Sequence, residues 1–431
     1  MKEIPSDGFI IFRGIFHTTT LITTSTEVLA DVFVHKSHNF GKPPLRKTIM
    51  RKIIGNSLAT ADSDEHRHMR KIIIPAFHFR NIRDLYPMFW AKLTEFCHAL
   101  SKDFGERSDR VLEIGHYSTQ VTMDMIGLGG LGRDLNSLQY SDDELVKIYE
   151  DIFEPMKKKV LYFLFHIFLS PWVVERLPRG LNKRLKVGRS RLRKICSDFV
   201  AEKKVKIKVE SSGSQKSQDI LSCTIRSNEF PDENLVYHLL TTLAAGHLWS
   251  EIYEYIPDPK VLLKSAFDVA GLLESMPCLN CVCNEVLRLF PTIPIIMRVV
   301  IRDTTVAGHH IPVGTTVYLV PWATNCHSTM RGPDAEEFVS ERWIDKETGR
   351  PTMRGGAESN YSFLTFLHRP RSCIGERFAR AELRALMAAL VGSFAMELAD
   401  PLEKVVAGGT ITSKPVNGMR LKLQPVGLGF G

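Results

Sequence analysis

What the chain lacks narrows its reading first. No run approaches the ~20 consecutive apolar residues that a helix needs to cross a bilayer, and the apolar stretch Val160–Val174 is broken by His166 and Pro171. Cysteine is sparse. Eight are scattered through 431 residues, in a chain too long to need covalent staples, and they read as reduced thiols in a cytosol-facing setting. Cys278-x-x-Cys281-x-Cys283 has the look of a metal cluster, but no second set follows and the stretch runs on into a helix, which argues against structural zinc. Gly127-Leu-Gly129-Gly-Leu-Gly132 carries the letters of a dinucleotide fingerprint, yet Thr119 to Ile126 reads as the end of a helix and no parallel strand lies beyond. A phosphate-cradling turn needs that strand context, so the glycines read as a helix stop.

Acid is outnumbered as well: 48 acidic against 56 basic residues give a net charge of +8. That balance suits nucleic acid, an anionic membrane face or an acidic redox protein, and no nucleic-acid-binding motif accompanies it. With 44% apolar and 24% charged residues, the chain has what a globular protein with a sizeable core requires.

Along the chain, Phe9–Phe12 and Thr20–Thr23 read as short strands before a helix at Glu27–Phe33. Asp64 to Lys71 is a charged helix that places His66 and Arg70 on one face. Arg176 to Lys208 is a basic, solvated helix face, and Ser211–Gln218 is a loop. From Asp232 a buried helix runs through Leu239 and Leu243 into the small residues Ala245 and Gly246. Asn284-Glu285-Val-Leu-Arg288 puts Glu285 and Arg288 one helical turn apart, and the helix stops at Phe290 ahead of proline. Val299 to Val320 alternates through Gly308 and Gly314 as strands and turns, with His309-His310 in a turn.

The stretch that organises the rest is Phe363-Leu-Thr-Phe366-Leu-His-Arg369-Pro-Arg371-Ser-Cys373-Ile-Gly375, followed by a helix with Leu383, Leu386, Met387, Leu390 and Val391 on one face. Cys373 therefore sits just before a helix start, where unpaired N–H groups and Arg371 should make its thiol ionise easily; Gly375 keeps bulk away from it. Three readings are open: a small buried residue, a nucleophile with His368 as base, and a soft ligand to iron screened by Phe366.

Here the sequence resembles the cytochrome P450 family, in particular its fungal microsome-type members. Their loop reads Phe-x-x-Gly-x-Arg-x-Cys-x-Gly, matched here at Phe366, Arg371, Cys373 and Gly375; Arg369 stands where the family has glycine, and either crowds the cofactor or swings out to solvent. The resemblance implies a mainly α fold with a small β region, a single P450-like domain over residues 1–431, and haem with Cys373 as axial thiolate. It also implies that Arg371, Arg298, His66 and Arg70 reach the haem propionates and that Ala245 and Gly246 cross its distal face. Glu285, Arg288 and Arg342 are then a buried structural triad. The implied activity is insertion of one atom of dioxygen into an apolar small molecule, such as a terpenoid of fungal secondary metabolism, with electrons from an NADPH-dependent reductase. Family members follow the Ala-Gly segment with an acid and a threonine; this chain has Leu248 and Trp249. The polar start Met1-Lys-Glu-Ile-Pro leads to the expectation that the family's N-terminal anchor is absent. The alternative expectation is thus a truncated haem binder with little turnover, and the expected location is cytosolic or peripheral on the cytosolic face of the endoplasmic reticulum.

Overall fold

The structure is a computed structural model that describes residues 8–13, 19–106, 111–139, 180–210, 219–227, 230–236, 268–345, 347–349, 351–400, 402, 407–408, 413–415 and 418–426. The basic run Lys157–Lys159, the apolar stretch after it, the loop 211–218 and the interrupted helix beyond Val236, with Ala245, Gly246, Leu248 and Trp249, lie outside the described residues.

Helices dominate, as the sequence leads one to expect. Tyr86–Glu106 buries Phe89, Leu93, Phe96 and Leu100, a stripe at helical spacing that lies on the helix Glu376–Ser393. Pro277–Leu289 starts with proline in its first turn and ends at Phe290, and packs on the same Glu376–Ser393 helix. Asn284 and Asn280 accept hydrogen bonds from Arg380 and Arg384 across that contact.

The β region is small. A five-stranded sheet runs in the order Phe9–Arg13, Thr19–Thr23, Thr316–Leu319, Ile296–Val300, Phe40–Gly41. Thr19–Thr23 pairs parallel with Thr316–Leu319, in the register Leu21 opposite Val317, so these two buried side chains share one face. A three-stranded sheet joins Val111–Glu113, Arg420–Pro425 and Phe394–Leu398. His309 and His310 are not in a turn. They open the return strand His309–Ile311 of a hairpin whose turn is Ala307-Gly308, because Gly308, at φ +80°, takes the left-handed position that lets the chain reverse.

The glycines at 127–132 continue the helix Ile114–Ile126 for one wider turn and end it at Gly132, φ +68°. The basic helix Gly180–Glu210 is not solvated throughout: Lys203 is buried in an ion pair with Asp219. Cys278 is exposed while Cys281 and Cys283 are buried, and no metal-binding cluster is found among the described residues.

Candidate active site

Two cores meet at the cysteine loop. Phe363 and Phe366 join the large helical core, whereas Leu364 joins the smaller one beneath the five-stranded sheet, so the loop cannot slide without unpacking both. The Cys373 N–H donates to the Phe366 carbonyl at 2.7 Å, and N–H groups of Gly375 and Glu376 donate toward Cys373 Sγ. Phe366 is buried beside Phe363 with the Arg380 guanidinium 5.0 Å from its ring; it supports the loop from below and does not line the cavity above. Arg369 takes φ +48° and is exposed, so its side chain swings outward to solvent. The left-handed backbone that glycine would adopt freely costs an arginine roughly 1–2 kcal/mol. A Cβ on Gly375 would meet Sγ at 3.9 Å and Phe77 at 4.0 Å. That is ordinary contact, so the loop itself leaves room for one.

The thiol does not ionise easily. Burial pushes it up to about 11, against the pull of the Gly375 and Glu376 N–H groups and of Arg70, while the Glu376 carboxylate pushes the same way as burial. Cys373 is itself exposed, on the wall of a cavity, so this rise reflects the protein atoms packed around the sulfur rather than its exclusion from water, and the helpful cation is Arg70 rather than Arg371. A bound metal ion displaces such a proton outright. His368, the base the nucleophile reading needs, instead packs against Phe33 and Tyr361. The soft-ligand reading is therefore the one the geometry favours.

Above the sulfur lies a cavity of about 430 Å³ with apolar walls, among them Ile54, Ile126, Ile296 and Phe378. Six cations line it: Lys42, Arg46, Lys47, Arg70, Arg298 and Arg371. They come from the helices Pro44–Ile54 and Ser63–Ile73, the residues preceding the first of these, the strand Ile296–Val300 and the cysteine loop. Asp62 answers part of this charge. It bonds Lys47 at 2.9 Å and stands 3.8 Å from Arg371 Nη1, which is buried and makes no hydrogen bond. Arg298 donates to the Met297 carbonyl at 3.2 Å. Arg70 holds the loop, donating to Ser372 O at 2.6 Å and Ser372 Oγ at 2.9 Å.

Crowding of like charge in a dry site disfavours protonation. Burial, then the neighbouring Arg371, Lys42, Arg70 and Arg298, push His66 down to about 3. Burial above all, offset in part by Asp62, brings Lys42 down to about 7. Burial and Arg371 bring Arg298 down to about 10. His66 is thus neutral, a hydrogen-bond donor or acceptor rather than a cation. A flat apolar ligand with two anionic groups on one edge and a soft metal at its centre suits the Arg371 Nη1 without a hydrogen bond, the apolar walls and the sulfur.

The triad that fixes this loop is fully assembled. Glu285 accepts from Arg288 Nε and Nη2 at 2.7 Å each, Arg342 Nε at 2.9 Å, Trp343 Nε1 at 2.8 Å and the Val339 N–H at 2.9 Å. Asn325 carries the restraint onward: its amide donates to Arg288 O and Thr365 Oγ1, and its Oδ1 accepts from the Leu364 N–H.

The structure thus brings together His66, Arg70, Arg298, Arg371 and Cys373, and leaves Phe366 behind the loop. Sequence reasoning missed Lys42, Arg46, Lys47 and Asp62, which no spacing ties to residues some 300 positions on. It also missed Glu382, buried on the cysteine helix with neither carboxylate oxygen hydrogen-bonded and lining the same cavity; a carboxylate on the buried face of that helix was the available signal.

The family model described as Cytochrome P450 matches residues 10–248 and 264–418 of the chain. Among curated proteins, the chain is 36% identical to cytochrome P450 monooxygenase sphH of Aspergillus fumigatus, over 99% of this chain and 82% of that protein. It is 34% identical to cytochrome P450 monooxygenase ptmK of Penicillium ochrochloron, over 98% and 87%. Among solved structures, a cytochrome P450DA haem domain superposes with a TM-score of 0.75 at 17% identity, covering 97% of this chain and 90% of that one.

Proposed function

Since the chain belongs to the cytochrome P450 family, the haem-thiolate monooxygenases, we propose that Cys373 is the thiolate that holds its haem iron, and that Arg371, Arg298, Arg70 and His66 hold the propionates. The observation that carries this assignment is Cys373 on the wall of a largely apolar cavity that it shares with Arg371, whose buried Nη1 has no hydrogen-bond acceptor and only a 3.8 Å ion pair with Asp62. When bound, haem supplies activation of dioxygen and transfer of one oxygen atom to the substrate.

The chain's own residues do the rest. Backbone N–H groups of Gly375 and Glu376 take up negative charge on the sulfur. Arg70 ties the loop to the helix Ser63–Ile73 through Ser372, which keeps the sulfur from moving relative to the cofactor edge. Neutral His66 offers a ring N–H without adding to the cationic crowd. Ile54, Ile126 and Ile296 exclude water and select an apolar substrate; an apolar secondary metabolite of terpenoid kind suits those walls. The electron donor in this reading is an NADPH-dependent reductase. A single domain working in the cytosol, or peripherally on the cytosolic face of the endoplasmic reticulum, accords with cysteines that are all free. Among the described residues no helix is long and apolar enough to cross a membrane.

The test is a reduced, carbon monoxide-bound absorption spectrum of the haem-loaded protein, followed by product analysis with a reductase. A thiolate-type Soret band that disappears in Cys373→Ala supports the assignment. An unchanged band in that variant refutes it.

A further inference from the structure

A buried cation lies behind the cysteine loop. Arg380 is 7% exposed and sits one turn beyond Glu376 on the helix Glu376–Ser393. Its guanidinium stands 5.0 Å from the centre of the Phe366 ring and 5.5 Å from that of Phe363. It donates through Nε to Glu376 Oε1 at 3.0 Å and through Nη1 to Asn284 on the helix Pro277–Leu289. A neutral donor would meet Asn284 as well, and taking a guanidinium out of water is costly. The ion pair with Glu376, whose side chain is 34% exposed, recovers only part of that cost.

The charge lies next to residues that bear on the sulfur. Phe366 is tied to the cysteine, since its carbonyl accepts from the Cys373 N–H at 2.7 Å. Glu376 acts on Cys373 in two opposed ways: its backbone N–H donates toward Sγ, while its carboxylate opposes negative charge there. Arg380 neutralises that carboxylate. Reduction of a bound haem iron adds one negative charge to the iron and its ligand, and an uncompensated carboxylate nearby resists that addition.

On the haem reading above, we propose that Arg380 is a positioning residue for charge at the sulfur: it cancels the Glu376 carboxylate from behind Phe366 and so raises the reduction potential of the haem iron.

Haem-loaded protein is titrated with dithionite under nitrogen, reading the ferric–ferrous midpoint from the Soret band. The carbon monoxide-bound spectrum checks that the thiolate still holds the iron. Arg380→Gln, which keeps a donor for Asn284, is expected to disfavour the reduced form by about tenfold, a midpoint lower by about 59 mV. Glu376→Gln should raise the midpoint, the double substitution should return it near the native value, and Arg380→Lys should leave it in place. A midpoint unmoved in Arg380→Gln overturns the proposal, and so does an equal fall in Arg380→Lys, which would make packing the cause. A fall that the added Glu376→Gln does not reverse overturns it too, because Glu376 is then not the charge being cancelled. If Arg380→Gln does not load haem, Glu376→Gln alone decides, and a midpoint that fails to rise overturns the proposal. All of these outcomes leave the haem reading intact; a native chain that takes up no haem overturns both.

Discussion

Replacing Glu285 by glutamine removes the one carboxylate that Arg288 is paired with. Glu285 and Arg288 are fully buried, the Arg342 side chain is 7% exposed, and the carboxylate accepts all five of the hydrogen bonds described above. Burial opposes its ionisation, yet the donors from Arg288, Val339 and Trp343 hold its pKa below the usual carboxylate range. In Glu285→Gln the amide keeps one acceptor, and its NH₂ is turned against donors. Arg288 then lacks a counter-charge in a dry interior, while Arg342 keeps the Asp334 carboxylate at 3.3 Å, a loss of about 3–5 kcal/mol. Urea unfolding of the apoprotein, followed by circular dichroism and by tryptophan fluorescence with coincident transitions, measures it. The sign of the pH dependence is fixed as well. A depressed carboxylate contributes its stability above the unfolded value near 4.5 and loses it as pH falls through the folded value, so the gap between native protein and variant is widest at neutral pH and narrows below pH 4.5. Because Asn325 links Arg288 to Leu364 and Thr365, the variant should also retain haem less well. A change under about 1 kcal/mol with an unchanged denaturant slope refutes the argument.

Other substitutions probe the site separately. Arg369→Gly relieves a left-handed residue at φ +48° but loosens the unfolded chain, so its midpoint shifts by less than about 1 kcal/mol; haem titration stays unchanged, since the side chain faces solvent. Burial raises Glu382 well above the carboxylate range, so its favourable contribution is complete below about pH 4.5 and is lost as pH rises through the folded value. Melting curves from pH 4 to 8 should then show Glu382→Gln gaining on the native protein by up to about 1.4 kcal/mol per pH unit, and a flat difference refutes it. Lys42, down to about 7 in the fold, sheds a proton that the unfolded chain keeps. Apoprotein stability should rise between pH 7 and 10.5 by up to about 1.4 kcal/mol per unit; Lys42→Met flattens that rise, and so does haem, whose propionates restore the proton to the lysine.

The sequence alone determined whatever is local in the chain. The helix after Cys373, the stop at Phe290 and the strands around Gly308 and Gly314 follow from side-chain period and from proline and glycine, which act within a few residues of themselves. The cysteine motif and the Glu285–Arg288 spacing were legible for the same reason, and the resemblance they carried supplied partners for both. Only the tertiary structure decided the balance of opposing long-range terms. That Cys373 sits near 11 rather than low depends on how much protein surrounds the sulfur, and the orphaned Arg371 Nη1 exists because Asp62, some 300 residues earlier, stops 3.8 Å away. Nothing in the sequence sets Arg46 and Lys42 apart from other basic residues. Only the folded chain brings them to the wall of the cavity that Cys373 also lines, and neither burial nor charge repulsion can be summed until that arrangement is known.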